Sequence, residues 1–265
     1  MAKTIAVANQ KGGVGKTTTC VNLATTLSMN KKKKVLVVDC DPQGNSTSGL
    51  GVPKDTSPNL YDVLINGEAA ESCVVKTRYC DVIPTNKEMS GASVELVDSQ
   101  DREYVLKNAL KPLLDKYDYI FIDCPPSLEL LTIDALAAAD SVIIPMQCEY
   151  YALEGIADLV TTIKLCNKKI NPGLEIEGIV MTMYDARTNL TRQVAWELKK
   201  FFGEKVYKTV IPRSVRISEA PSHGMPGVFY DKWNKASNGY LKLGDEFLKR
   251  EKDRKKAEKE VKDRG

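Results

Sequence analysis

Residues Thr4–Thr19 read TIAVANQKGGVGKTTT, and this stretch decides the fold. Its first part is a short apolar run with β-branched residues, the composition of a strand buried on both faces. Its second part sets Gly12, Gly13 and Gly15 among two lysines and opens a threonine-rich segment with helical spacing. Strand, glycine-rich turn and helix, in that order, is the setting a phosphate-binding loop needs. The backbone N–H groups of Gly12, Gly13, Val14 and Gly15 converge on phosphate oxygens, because glycine tolerates the dihedrals required. The positive end of the following helix points at the same place. Lys16 then reaches the β- and γ-phosphates, the Thr17 hydroxyl is a ligand for Mg²⁺, and Thr18 completes the nucleotide-binding stretch. One position is irregular. The usual pattern has glycine five residues before Gly15, where this chain has Gln10, and the loop carries a further lysine, Lys11.

Further strand-like runs recur downstream: VLVVD (Val35–Asp39), YIFID (Tyr119–Asp123), SVIIP (Ser141–Pro145) and IEGIVMT (Ile176–Thr182). Helical spacing is expected over Thr17–Ser28, Glu103–Lys116, Leu130–Ala139 and Leu153–Asn167. This alternation predicts an α/β fold, a single-domain, doubly wound, mostly parallel sheet of the P-loop NTPase kind. The Gly-, Pro-, Asn- and Ser-rich residues Asp39–Asn59 read as a long functional loop.

The chain has 265 residues, 43% of them hydrophobic and 28% charged, the composition of an ordinary globular protein. No apolar run approaches the roughly 18 residues of a spanning helix, so a cytoplasmic protein with no membrane partner is expected. The seven cysteines form no CxxC pair, which argues against a zinc site or a disulfide framework. His223 is the single histidine, which disfavours a Ser/His/Asp triad. Residues 249–265 hold nine basic and five acidic side chains, net +4, leaving residues 1–248 at net −1. The chain therefore divides into an ATPase-like domain, residues 1–248, and a charged C-terminal tail, residues 249–265, read as a solvated helical extension.

Asp39 and Asp123 end strands on the edge where the phosphate loop lies, the ligand-binding edge of an open α/β sheet. Asp123 fits a carboxylate that holds Mg²⁺ through water, and Asp39 joins the same shell. A strand-end aspartate is also a common turn or cap residue, the plain alternative for each. A net charge of +5 over residues 185–216 suits contact with nucleic-acid phosphates, an ordinary solvated face being the alternative. Met183, just after the last strand, is placed near the base of a nucleotide.

With KGGVGKT at residues 11–17, the chain resembles the ParA/MinD class of ATPases with a deviant Walker A motif. VVDCDPQGNSTSGLG, YDYIFIDCPPSL, QCEYYALEG, MTMYDARTNL and VIPRSVRISEAPSHG are similar to the chromosome-partitioning, Soj-type branch. The resemblance spans roughly residues 3–230. It implies that Lys11 is the signature lysine, which crosses to the partner subunit's phosphates in an ATP-sandwich homodimer, while Lys16 serves its own nucleotide. It implies that Asp41 positions the attacking water, and that VIPRS lines the adenine pocket through Pro212 and Arg213. Arg187 and Arg216 match positions implicated in nonspecific DNA binding. ATP and Mg²⁺ are the implied cofactors, and a ParB/Spo0J-like centromere-binding protein the implied partner. A membrane-surface ATPase would need a C-terminal helix with large apolar residues on one face, which the sequence after Leu248 lacks.

Overall fold

Six strands form one sheet: β1 (Lys3–Val7), β2 (Val35–Asp39), β3 (Asp81–Ile83), β4 (Tyr119–Asp123), β5 (Ser141–Gln147) and β6 (Glu175–Thr182). Their order is β3-β2-β4-β1-β5-β6, with every neighbouring pair parallel. The structure, a computed structural model, describes residues 1–97, 101–150 and 152–262. Parallel neighbours require crossovers, and helices supply them on both faces. Those helices are α1 (Lys16–Thr25), α2 (Asn45–Gly49), α3 (Leu60–Leu64), α4 (Met89–Glu95), α5 (Val105–Leu110) and α6 (Leu130–Ala138). They continue with α7 (Ala152–Lys169), α8 (Asn189–Phe202), α9 (Val215–Glu219), α10 (Gly227–Tyr230) and α11 (Lys235–Lys262).

Side chains alternate across the sheet as strand geometry demands. Ile5, Val7, Val37, Phe121 and Ile143 pack with Leu23 of α1 and Tyr240, Leu243 and Phe247 of α11. Ala6, Leu36, Val38, Ile122 and Val142 face the other way, onto Leu136, Leu159 and Leu198 of α6, α7 and α8. With helices on both faces the strands are buried except at their ends, hence their near-continuous apolar sequences.

The five expected strands form within two residues of their predicted limits, and β3 is an addition. The helix expected over Glu103–Lys116 is broken, because Pro112 lacks an N–H and turns residues Lys111–Leu113 into a 3₁₀ segment. The Asp39–Asn59 stretch is not all loop: it contains α2, which begins after Gly44 in a left-handed conformation (φ 59°).

The C-terminal segment differs most from the solvated extension read in the sequence. Helix α11 runs unbroken past Leu248 to Lys262, and residues 263–265 lie outside the described residues. Arg250 donates to the carbonyl oxygens of Glu204 and Val206, at 2.8 Å each. Glu251 is buried, and Lys3 Nζ donates both to it (2.6 Å) and to the buried Glu177 (2.7 Å). Arg254 adds a second cation to Glu177. Burial alone would raise the Glu177 pKa, yet the Arg254 and Lys3 bonds outweigh it and hold the carboxyl below the usual range. Truncation after Leu248 leaves Glu177 paired with Lys3 alone and strips the Val206 carbonyl of its Arg250 donor, at about 1–3 kcal/mol for each buried group left short of a partner. It is therefore expected to lower Tm by about 2–4 °C for each kcal/mol lost, read by calorimetry. An unchanged Tm would mean that these bonds contribute nothing to the fold.

Candidate functional site

The loop after β1 is held from behind. Thr182 Oγ1 donates to the Val14 carbonyl (2.7 Å) and Gln147 Nε2 to the Gly13 carbonyl (3.0 Å). Asn9 Nδ2 donates to the Pro145 carbonyl (2.7 Å), while its Oδ1 accepts from the Lys11 N–H (3.0 Å). In a trans peptide the N–H points opposite the carbonyl. Tying the Gly13 and Val14 carbonyls to the ends of β5 and β6 thus turns the N–H groups of Val14 and Gly15 away from the sheet. Gly13 (φ 72°) and Gly15 (φ 87°) sit in the left-handed region, which the tight turn requires. Helix α1 begins at Lys16 with no acidic residue in its first turn, so its positive end is left for an anion.

The cavity in front of this loop measures about 330 Å³. Gly12, Gly13, Gly15, Lys16, Thr17 and Thr18 form one wall, and Asp41, Gln43, Asn45, Pro126 and Met183 close the rest. Lys16 is 6% exposed, and its Nζ donates to the Lys11 carbonyl oxygen (3.0 Å). Burial lowers its pKa, and the charges of Asp123 and Asp41 push it back up. Lys11 behaves differently. Its side chain stays half-exposed at the rim and pairs with Glu149, just beyond β5. One loop therefore carries a lysine committed to its own cavity and another that faces outward.

The three aspartates lie beneath and beside this cavity. Asp39 and Asp123 are aligned partners at the ends of β2 and β4, and both are completely buried. Asp39 Oδ2 accepts from the N–H and the hydroxyl of Thr47, at 2.7 Å each. Asp123 Oδ2 accepts from the Ser46 hydroxyl (2.7 Å), and Thr17 also stabilises its ionised form. Burial raises the pKa of both carboxyls; the charge of Asp39 raises that of Asp123 further, and the charge of Asp41 raises both. Asp123 Oδ1 is buried without a hydrogen-bond partner among the described residues. An orphaned carboxylate oxygen beside two other carboxylates and a threonine hydroxyl is the environment a hard divalent cation satisfies. Among the described residues no cluster of three or more His, Cys, Asp or Glu side chains is arranged to grip a metal by itself. That arrangement suits Mg²⁺, which keeps several waters and borrows oxygens from phosphate.

Asp41 is 7% exposed and lines the cavity, with Oδ1 accepting from the Gln43 N–H (3.0 Å). Met183 also lines the cavity, in the left-handed region (φ 48°). Pro212 reaches the same end of the sheet through its bridge to Tyr184, while Arg213 beside it is exposed. Arg187 and Arg216 are exposed, and each has an acidic partner: Arg187 grips Asp185 with Nε and Nη2 (2.8 and 2.7 Å), and Arg216 meets Glu219 (3.1 Å). The basic run over residues 185–216 is not one patch. Helix α8 carries the chain about 21 Å. Lys205 thus pairs with Glu175 at the start of β6, away from Arg187 just past the strand's end. Ser46, Thr47, Thr182, Gln147 and Glu149 are working parts that the sequence reading missed. The hydroxyl-rich NSTSG segment that begins six residues after Asp39 was the available signal for the first two.

A glycine-rich loop with its N–H groups turned outward, a buried lysine and carboxylates around an unpartnered oxygen make a candidate nucleotide site, and relatives place the chain in a family. Residues 2–176 match the family model described as an AAA domain. The chain is 54% identical over 249 residues to the sporulation initiation inhibitor protein Soj of Bacillus subtilis, covering 93% of this chain and 98% of that one. It is 48% identical over 254 residues to the chromosome partitioning protein ParA of Myxococcus xanthus, covering 95% and 89%. Among solved structures, a cobyrinic acid a,c-diamide synthase from Mycobacterium smegmatis with bound ADP and magnesium superposes with a TM-score of 0.83. That match is at 35% identity and covers 95% of this chain and 96% of the other. The full-length identity and the shared parallel sheet agree: the chain belongs to the ParA/Soj family of partitioning ATPases, on the P-loop ATPase fold.

Proposed function

We propose that the chain is a Mg²⁺-dependent ATPase that forms an ATP-sandwich homodimer. In that state it binds DNA without sequence preference, and a ParB-like partner stimulates hydrolysis and releases the DNA. The carrying observation is the division of labour between the two lysines. Lys16 is buried in its own cavity, whereas Lys11 stands half-exposed on the rim, held by Glu149. A cation so placed is available to a second subunit's γ-phosphate, which makes dimerisation depend on that phosphate.

Within each subunit the N–H groups of Val14 and Gly15 and the Lys16 ammonium hold the phosphates. Thr17 and Asp123, with Asp39 behind them, would hold Mg²⁺. When bound, that ion neutralises charge on the phosphate oxygens. Asp41 accepts a hydrogen bond from the attacking water and orients it. Such a short set of parts is enough, because phosphoryl transfer asks mainly for positioning and charge neutralisation. Met183, Pro212 and Arg213 border the base. The basic surface of Arg187 and Arg216 meets DNA phosphates, each guanidinium keeping N–H donors beyond those given to Asp185 and Glu219. Among the described residues no helix is long and apolar enough to cross a membrane.

Salt dependence of DNA binding tests the reading. Each phosphate contact contributes about −0.9 to the slope of log affinity against log salt. The Arg187→Ala/Arg216→Ala protein is therefore expected to flatten the ATP-dependent slope by up to about 3.6 for a dimer, equally on DNA of any sequence. A wild-type slope, or ATP-dependent binding to anionic liposomes without binding to DNA, contradicts the assignment.

A further inference from the structure

At the edge of the sheet opposite the phosphate loop lies a second cavity, of about 630 Å³. It opens where β2, β3 and β4 begin, a strand length or roughly 16 Å from the nucleotide site. Its rim carries Lys33, Lys34, Lys76, Arg78 and Lys116. Two acids also line it, and both are engaged: Glu71 faces Lys116 (3.6 Å), and Asp81 Oδ2 accepts from the Tyr117 hydroxyl (2.8 Å). The ammonium groups of Lys34 and Lys76 have no acidic partner among the described residues, and both side chains are exposed. Arg78 is fixed in place, its guanidinium stacked over Tyr79 (4.9 Å) and Phe229 (4.5 Å) and donating to the Tyr79 hydroxyl (2.6 Å). The floor is apolar, with Val35, Leu113 and the ring of Tyr117.

Five cations face Glu71, Asp81 and, beside Lys33, Asp118, which still leaves a net positive field inside a concave wall. The volume lies within the range of small-molecule pockets, and an apolar floor under a charged rim asks for a ligand with both parts. Duplex DNA, being convex, would meet the rim and leave the floor wet. We propose that this cavity is a second, non-catalytic site for a nucleoside phosphate, with the base on the Val35–Leu113–Tyr117 floor and the phosphates among Lys34, Lys76 and Lys116. Part of the rim comes from a run of four lysines, Lys31–Lys34. Lys31 is tied to Asp245 (2.6 Å) and Lys33 lies 3.6 Å from Asp118, which leaves Lys34 as the uncommitted member that faces the cavity.

Titration calorimetry of the full chain with ADP in EDTA tests the site, using wild type, Lys16→Ala and Lys34→Ala/Lys116→Ala. Both rim residues are exposed and lie outside the phosphate loop, so the fold is retained. Wild type is expected to bind two ADP per chain. The rim variant should lose one of them by about tenfold or more in affinity, the effect of two charge-assisted bonds, while Lys16→Ala loses the other. Pyrophosphate should bind the rim site at least about tenfold more weakly than ADP, because it forgoes the floor. ADP stoichiometry and affinity unchanged in the rim variant would overturn the proposal, as would equal binding of pyrophosphate or displacement of ADP from this site by duplex DNA. Should the phosphate-loop reading be the one at fault, Lys16→Ala would change nothing while the rim variant still lost its ADP.

Discussion

Asp41→Ala is expected to keep ATP and Mg²⁺ binding within a few-fold of wild type and to lower turnover by about 10²–10⁴-fold, the usual worth of a group that handles the attacking nucleophile's proton. Binding survives because Lys16, Thr17 and Asp123 remain, and because the Asp41 carboxylate's bond among the described residues is local, to the Gln43 N–H. The fold also survives, since the bonds that seat α2 run from Ser46 and Thr47 to Asp123 and Asp39. With hydrolysis blocked, ATP stays bound and the dimer accumulates. A steady-state phosphate-release assay checks this, and a wild-type rate would remove Asp41 from the role of orienting water.

Lys11→Ala is expected to lose ATP-dependent dimerisation and with it the stimulated turnover, by about 10³-fold or more, the scale of a cation supplied in trans to a γ-phosphate. Its cost to the monomer is small. The Lys11–Glu149 pair is about half-exposed on both sides, and such surface pairs contribute at most about 1 kcal/mol. ATP binding to the single subunit therefore persists, in contrast to Lys16→Ala, which removes the buried ammonium from the cavity and weakens nucleotide binding itself. Measuring ATP affinity and dimer mass on both variants separates the two roles. Loss of ATP affinity in Lys11→Ala equal to that in Lys16→Ala would collapse them into one.

What was legible in the sequence is what is local. Strands β1, β2, β4, β5 and β6 are near-continuous apolar runs because helices cover both faces, and that covering is written into each run separately. The glycine-rich loop is contiguous, so the placement of its glycines after β1 and of Lys16 and Thr17 at the start of α1 was readable from their order alone. Strand β3 escaped notice because it is three residues long and opens on Asp81. Helix α2 escaped because NSTSG has little intrinsic preference for helix; bonds from Thr47 and Ser46 to two buried aspartates hold it. The same holds for Gln147 and Thr182, which brace the loop from more than 130 residues away in the chain. Charge was the most misleading signal. Lys249–Lys262 looked solvated, yet Arg250 has a partner beyond α8, Glu251 one on β1 and Arg254 one on β6, which no local pattern reveals. The basic residues 185–216 looked like one surface and are distributed from the end of β6 through α8 to α9.

Sedimentation velocity of the Asp41→Ala protein, with and without ATP and Mg²⁺, tests the central claim most directly, because it separates assembly from turnover. The account predicts a monomer without nucleotide and a stable species of twice the mass with ATP, returning to monomer when Lys11→Ala is added. A monomer under every condition, or a dimer indifferent to ATP and to Lys11, would contradict it.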